Sequence, residues 1–225
     1  MLGMKAEPGS CTLLGDVVAS RGAVDRRALH HTLEEALRAV NTTVPAHSAL
    51  RVTVGDEFQG RYDTVGAALD AALRTRLELL PRIDVRVGIG RGSVEVFDDD
   101  RGLEDGPGWW AARAAIVAVA GTSTRAATRS LRTAYALPLT AGDPHEQTRT
   151  PEEWAINAAL ITRDALIGGL DERSLRILRA LVRSQATQAE IAELEGISPS
   201  AVSQRVRTGG IGAILESHTL LRRLP

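Results

Sequence analysis

Two Gly-Asp steps, forty residues apart, are the clearest sign of chemistry in this chain. One lies in Cys11-Thr-Leu-Leu-Gly-Asp16-Val-Val-Ala-Ser20 and the other in Arg51-Val-Thr-Val-Gly-Asp56-Glu-Phe58. Each sets a carboxylate at the end or turn of an apolar run that reads as a strand. A strand end holds a charge rigidly, and two such carboxylates on neighbouring strands can share a divalent cation. Mg²⁺ takes hard oxygen ligands, usually one or two carboxylates plus phosphate oxygens. Asp16 and Asp56 are therefore candidate ligands for a Mg²⁺ (or Mn²⁺) that carries a nucleotide. Either Gly-Asp alone also closes a turn, and both readings stand at this level.

The elements that must position these carboxylates follow from periodicity. Residues 11–19 are mostly apolar, as in a strand buried on both faces. Leu29, Leu33, Leu37 and Val40 share one helical face. Residues 50–54 and 58–62 flank Gly55-Asp56 as a hairpin with Asp56 near its tip. Asp63-Thr64 caps a helix striped by Val65, Leu69, Leu73, Leu77 and Leu80, which Pro81 ends. Residues 83–89 alternate as a strand, and Gly90-Arg91-Gly92 predicts a turn from which 93–97 run back. Residues 98–108 form an acidic, glycine-rich loop, either a solvated surface or a second cation site. Residues 109–120 are helix-prone, and 130–136 read as one more strand. The order predicts an α/β chain of the α+β kind, with a largely antiparallel sheet and helices on one face.

Composition narrows the classes. With 225 residues and 44% hydrophobic content, the chain holds one large domain or a domain plus an appendage. The single cysteine, Cys11, rules out an internal disulfide, which fits a cytoplasmic setting. It sits in a strand-like run and reads as core. Residues 1–10 lack the apolar stretch of a signal peptide. The run 111–120 is interrupted by Arg113 and too short to span a bilayer, so no membrane partner is expected. The histidines lack zinc spacing, and neither a P-loop nor a Ser-His-Asp signature is present. A net charge of -1 excludes a broadly basic nucleic-acid coat. From Asp171 onward, however, eight arginines stand against six acids, which permits DNA contact.

Several blocks also resemble a known family. Leu13-Leu14-Gly15-Asp16-Val17-Val18-Ala19-Ser20 resembles the first metal-binding strand of class III nucleotidyl cyclases. Val54-Gly55-Asp56-Glu57-Phe58 resembles the hairpin that carries their second metal aspartate, and is similar to that of diguanylate cyclase domains. Arg86-Val87-Gly88-Ile89-Gly90-Arg91-Gly92 resembles their later strand and turn. Gly108-Trp109-Trp110-Ala111-Ala112-Arg113 resembles their helix with an Asn and an Arg. The blocks keep the family's order over roughly residues 10–120, and the whole chain resembles SatD-family proteins.

The resemblance implies a ferredoxin-like, cyclase-type palm over residues 1–145. It implies Mg²⁺ or Mn²⁺ at Asp16 and Asp56. It implies ATP or GTP against Val17, Val18, Ala19, Ser20, Arg21, Arg91, Trp109 and Arg113, with the amides after Asp16 meeting the phosphates. Two positions depart from the pattern. Val52 stands where cyclases have a base-selecting Lys, and Trp109 where they have a transition-state Asn. Arg113, the residue that would serve catalysis in an active enzyme, is kept. Losing one such positioned group commonly costs ~10²–10³ in rate. The implied site thus suits holding a nucleotide better than turning it over. Trp109 and Trp110 are either stacking rings or core and interface residues.

The C-terminal third gives an independent signal. Thr150-Pro151-Glu152-Glu153 starts a helix that Gly168-Gly169 ends, and 146–170 read as a linker helix. Residues 171–225 read as a separate all-α domain. Thr187-Gln188 opens a short helix, Gly196 makes a turn, Ile197 plugs it, and Ser198-Pro199 starts the next helix. This stretch resembles a helix-turn-helix of the sigma-factor or winged-regulator type, with Ile191, Ala192, Ile197, Val202 and Val206 packing the pair. Ser198, Ser200, Ser203, Gln204 and Arg207 would then face double-stranded DNA, because these residue types read base edges or bind phosphates. One half-site binds weakly, so a homodimer is expected. A helical dimerisation tail is the other reading of this segment. The combined expectation is a DNA-binding transcriptional regulator that senses a purine nucleoside triphosphate with Mg²⁺. The alternatives are an active nucleotidyl cyclase with an assembly tail, and an interaction scaffold whose aspartates only close turns.

Overall fold

The computed structural model describes residues 7–19, 25–98, 102–122, 125–138, 149–184 and 186–225. It begins β1 (Glu7–Val17), α1 (Arg26–Asn41), β2 (Ser48–Val52), β3 (Phe58–Tyr62), α2 (Val65–Leu79) and β4 (Val85–Asp98). The sheet order is β2-β3-β1-β4 with every pair antiparallel, the ferredoxin-like arrangement of a β-α-β-β-α-β unit. Alternation decides what each strand shows to each side. Cys11, Leu13, Val17, Val85, Val87 and Ile89 enter the main core with α1 and α2. Leu14 and Val94 look to the other face.

That other face is covered by a helix, so the expectation of helices on one face is corrected. β5 (Leu103–Asp105) pairs with the far end of β4, and α3 (Pro107–Thr122) then lies across β1 and β4. Gly90-Arg91-Gly92 is not a turn, because β4 runs unbroken from Val85 to Asp98. The glycines serve helix contact instead. A Cβ on Gly88 would fall 2.2 Å from the Ala112 carbonyl oxygen, and one on Gly90 2.2 Å from that of Gly108. Thr12 Oγ1 fastens the contact by donating to Gly108 O at 2.8 Å. Local sequence could not separate a glycine turn from a glycine stripe.

β6 (Thr133–Ala136) adds to β4 in parallel. The expected linker, 146–170, contains α4 (Pro151–Gly168), which runs along β6. Asn157 accepts from Tyr135 N at 3.0 Å and donates to Tyr135 O at 2.8 Å. Glu153 accepts from Leu137 N, and Asp164 from the amides of Arg132 and Thr133. Side chains thus satisfy an edge strand that would otherwise invite another chain.

Four helices follow: α5 (Glu172–Ser184), α6 (Gln188–Glu195), α7 (Pro199–Thr208) and α8 (Ile211–Leu221). They pack onto the first half. Leu73 and Leu77 of α2 share a core with Leu175, Ile177 and Leu178 of α5 and with Ile191, Val202 and Ile214. Leu221 joins the main core, and the carbonyls of Leu224 and Pro225 accept from the amides of Gly66 and Val65 at the start of α2. No helix among the described residues is long and apolar enough to cross a membrane.

The α3–β4 contact gives a direct test. Gly88→Ala must push backbone away from backbone, and is expected to cost about 3 kcal/mol or more. Gly121→Ala, on α3 with nothing near its Cβ, is expected to gain about 0.5–1 kcal/mol. Urea denaturation of both variants reads the contrast, and equal effects would disprove the close-approach account.

Candidate functional site

The two Gly-Asp steps meet through a single ring. Gly15 pairs with Phe58 across β1 and β3, and the Phe58 ring lies over it so tightly that a Cβ would sit 2.0 Å from the ring carbon. Gly55 is glycine for another reason: its φ is +66°, in the left-handed region. That turn closes through Glu57 N donating to Val54 O and Thr53 N donating to Glu57 O. Phe58 looks into the main core, so alternation turns Glu57 to the opposite face, where Asp16 also lies.

On that face Asp16 has a partner that sequence reasoning missed. Asp16 and Arg86 sit opposite one another on β1 and β4, and the guanidinium grips the carboxylate with both forks, Nε to Oδ1 at 2.8 Å and Nη2 to Oδ2 at 3.0 Å. Arg113 of α3 reaches across to Glu57 at 3.3 Å. Both are about half exposed, so this pair positions more than it stabilises. Burial raises the Asp16 carboxyl above its ordinary value. Arg86 opposes the rise, while the negative charges of Asp56 and Glu57 add to it. Three acids, Asp16, Asp56 and Glu57, therefore bear on one another with Arg86 and Arg113 beside them.

The donor set is of the hard-oxygen kind that Mg²⁺ takes. Each Asp16 oxygen accepts one bond from Arg86 and keeps further lone-pair capacity. The surplus negative charge is what a divalent cation relieves. No group of three or more His, Cys, Asp or Glu gathers as a metal cage among the described residues. Mg²⁺ does not need one when substrate phosphates supply the remaining oxygens. Asp16 and Asp56 would hold the ion, which when bound would neutralise phosphate charge.

The other expected nucleotide contacts divide. Val17 is buried in the main core, and the Val18 amide already donates to Asp84 O at 2.8 Å. Ala19 follows with φ 59°, a left-handed conformation uncommon for a residue with a Cβ. Ser20 and Arg21 lie outside the described residues. Arg91 is corrected. It has the same parity as Val87 and Ile89, so it looks to the α1–α2 side, with Glu152 of α4 at 3.8 Å. Arg86, five residues earlier and of opposite parity, occupies the face of Asp16. Period-2 counting from Asp16 and its strand partner is the signal that could have found it.

Trp109 is turned inward, packed with Leu14, Val94 and Ala112. The exposed ring is Trp110, whose Nε1 donates to Asp105 at 2.8 Å. Val52 packs against the main core. Glu104, in the acidic loop, is buried against Arg61 and accepts from Ser48 Oγ. Burial pushes the Cys11 thiol up to about 11, which suits a core residue and not a nucleophile.

At the other end of the chain, α6 and α7 are joined through Gly196 at φ 62°. A capping box between Thr187 and Glu190 starts α6, and the Ser198 side chain caps α7 by accepting from Ala201 N. Val202 is fully buried against Ile191 and Ala192. Arg205 anchors α7 to Asp171 at 2.9 Å and to Ser174 Oγ at 2.9 Å, and this bond holds the Asp171 carboxyl well below its ordinary value. Ser198, Ser200, Gln204 and Arg207 are exposed and Ser203 is half-buried. Of the α6 acids, Glu195 is held by Arg176 and Arg173, and Glu190 by its capping box.

A mixed α/β fold with a mostly antiparallel sheet, carrying paired acids and arginines on one face and a set of C-terminal helices, is thus the class in hand. The chain belongs to the SatD family, whose model matches residues 11–224. Among solved structures, it is similar to the guanylyl cyclase domain of the RhoGC fusion protein from the aquatic fungus Blastocladiella emersonii. That match has 17% identity over 51% of this chain and 77% of that one, with a TM-score of 0.41. The guanylyl cyclase Cya2 matches at 12% identity over 52% and 73%, with a TM-score of 0.43. An adenylate/guanylate cyclase/hydrolase from Silicibacter pomeroyi matches at 27% identity over 48% and 69%, with a TM-score of 0.35. No curated protein matches the sequence.

Asp16 yields a signed prediction. A carboxyl whose folded value is raised takes up its proton more readily in the folded chain. It therefore withdraws stability as pH rises from the ordinary aspartate range through the raised value. The wild type should lose thermal stability relative to Asp16→Asn across that interval, with a constant gap above it. Mn²⁺ binding, read by electron paramagnetic resonance, should be lost in the same variant. If Asp16→Asn is the less stable protein at neutral pH and still binds Mn²⁺, the site assignment fails.

Proposed function

We propose that this SatD protein is a DNA-binding transcriptional regulator whose cyclase-like half holds a purine nucleoside triphosphate, ATP or GTP, with Mg²⁺ and does not turn it over. The observation that carries this reading is the outer face of α7. Ser200, Gln204 and Arg207 lie exposed on a helix that is capped at Ser198, plugged by Val202 and anchored by Arg205. Hydrogen-bonding side chains with one arginine on a rigid short helix suit reading base edges and phosphates. Two of the three acids of α6 are tied back, Glu195 to α5 and Glu190 to its own cap, and Glu193 is exposed.

Asp16, Asp56, Arg86 and Arg113 are the residues proposed for the nucleotide and its ion. Val52 offers no base-selecting amine. Trp109 is in the core, so no directed amide stands where cyclisation would use one. The carbonyls of α2 that accept from Arg179 of α5 give the two halves a shared element through which occupancy reaches α7. A single α7 reads one half-site, so the active form is a homodimer. The retention of Asp16, Asp56 and Arg113 favours a second reading, an active class III-like nucleotidyl cyclase whose helices serve assembly.

Genomic fragments captured by the protein, with and without ATP or GTP and Mg²⁺, supply the DNA for the test. In fluorescence anisotropy, Arg207→Ala is expected to weaken binding across sequences and lower the salt slope by about 1. Gln204→Ala is expected to cost about 1–3 kcal/mol at one base position. If both variants bind like the wild type, α7 is not the reading helix. Cyclic nucleotide formed from ATP or GTP, and lost in Asp16→Ala, would replace the sensor reading with the enzyme.

A further inference from the structure

The packing leaves a cavity of about 350 Å³ where the ends of α2 and α4 meet the starts of β4 and β6. Arg76, Asp84, Arg129, Ser130 and Arg132 line it on the sheet side, and Ile167, Gly168 and Leu170 at the α4–α5 junction line it on the other. The volume lies in the range of small-ligand sites.

Its charges do not balance. Arg76 is buried and shared between Asp84 at 2.9 Å and Asp164 at 3.0 Å. Arg132 donates to the second oxygen of Asp84 at 2.7 Å, and the second oxygen of Asp164 is taken by the amides of Arg132 and Thr133. All four carboxylate oxygens thus already accept at least one bond. Behind them Arg163 is fully buried, 3.9 Å from Asp164, and none of its three nitrogens has a hydrogen-bond partner among the described residues. Arg129 is exposed, and neither its guanidinium nor the Ser130 hydroxyl bonds to any described residue. Three guanidiniums, Arg76, Arg129 and Arg132, therefore line the cavity with one carboxylate, Asp84, while Asp164 beside it is shared by Arg76 and Arg163. A buried cation left without full compensation is costly, by several kcal/mol in general. The Leu80 carbonyl, at the end of α2 on the cavity wall, is already capped by Arg179 and adds little to offset that positive charge.

We propose that this cavity binds a small phosphorylated anion, with Arg129, Ser130 and the unspent nitrogens of Arg76 and Arg132 as its ligands. Guanidinium forks match phosphate oxygens in number and direction. The walls belong to both the sheet and the C-terminal helices, so an occupant ties one to the other. None of the residues lining the cavity is among those proposed for the nucleotide, so the proposal does not depend on the nucleotide reading.

Calorimetry of the full chain with inorganic phosphate and with pyrophosphate, at ionic strength fixed with potassium chloride, tests this. Saturable binding is expected, with a rise in the thermal midpoint that chloride alone does not give. The double variant Arg129→Ala/Ser130→Ala should bind about tenfold more weakly, the loss of one charge-assisted hydrogen bond. Arg129 is exposed and pairs with no described residue, so the unliganded midpoint of that variant should match the wild type. Asp16→Asn should bind within about twofold of the wild type, because the probe is expected away from the Asp16 face. Absence of saturable binding overturns the proposal. So does wild-type affinity in the double variant, or loss of binding in Asp16→Asn.

Discussion

The structure hangs on the close approach of α3 to β4 across Gly88 and Gly90. Bare backbone on the strand lets the helix backbone settle into contact, and Thr12 locks it by donating to the Gly108 carbonyl. Dispersion contacts fall off steeply with distance, so only side-chain-free positions permit this layer spacing. Its consequences spread along α3. Trp109 is driven between Leu14 and Val94, Trp110 is left outside, and Arg113 is carried to the edge where Glu57 waits. A sheet face that looked open in the sequence becomes a covered layer with one open end, and that end holds Asp16.

A second constraint acts on the opposite side of the sheet. β6 is an edge strand, and α4 covers its edge with carboxylates and an amide in place of another strand. Asp164, Asn157 and Glu153 each bond backbone of the segment around β6. Polar groups buried in this way must be fully paired to be tolerated. That requirement fixes the position of α4, and through α4 and α2 the position of the helices that follow. Leu73 and Leu77 of α2 share a core with Leu178 of α5. The C-terminal helices are built onto the first half and do not hang from it.

Much of this was legible. The β1 and β2–β3 strands, the hairpin tip at Asp56, the striped helices α1 and α2, and the pair α6–α7 with Gly196 between them all follow from local pattern and turn chemistry. The errors share one cause. Gly90-Arg91-Gly92 has the composition of a turn, yet glycine serves either a reversal or a close approach, and only the presence of α3 distinguishes them. Arg91 is the phosphate candidate in sequence and Arg86 is not, yet strand parity sends Arg86 to the face of Asp16 and Arg91 to the other. Residues 146–170 look like a linker because the partners of Glu153, Asn157 and Asp164 are backbone groups, and backbone leaves no trace in composition.

The sequence by itself determined which segments become strands and helices, and that Asp16 and Asp56 stand at the ends of such segments. Periodicity and turn preference are local, acting over a few residues. Tertiary structure alone decided what those carboxylates meet: Arg86 rather than Arg91, Glu57 as a third acid, and a tryptophan turned inward. It also decided that three arginines, Arg76, Arg129 and Arg132, line one cavity beside a single carboxylate, Asp84. Such outcomes depend on register between strands and on which layer covers which face. Both are set by packing between residues far apart in the chain.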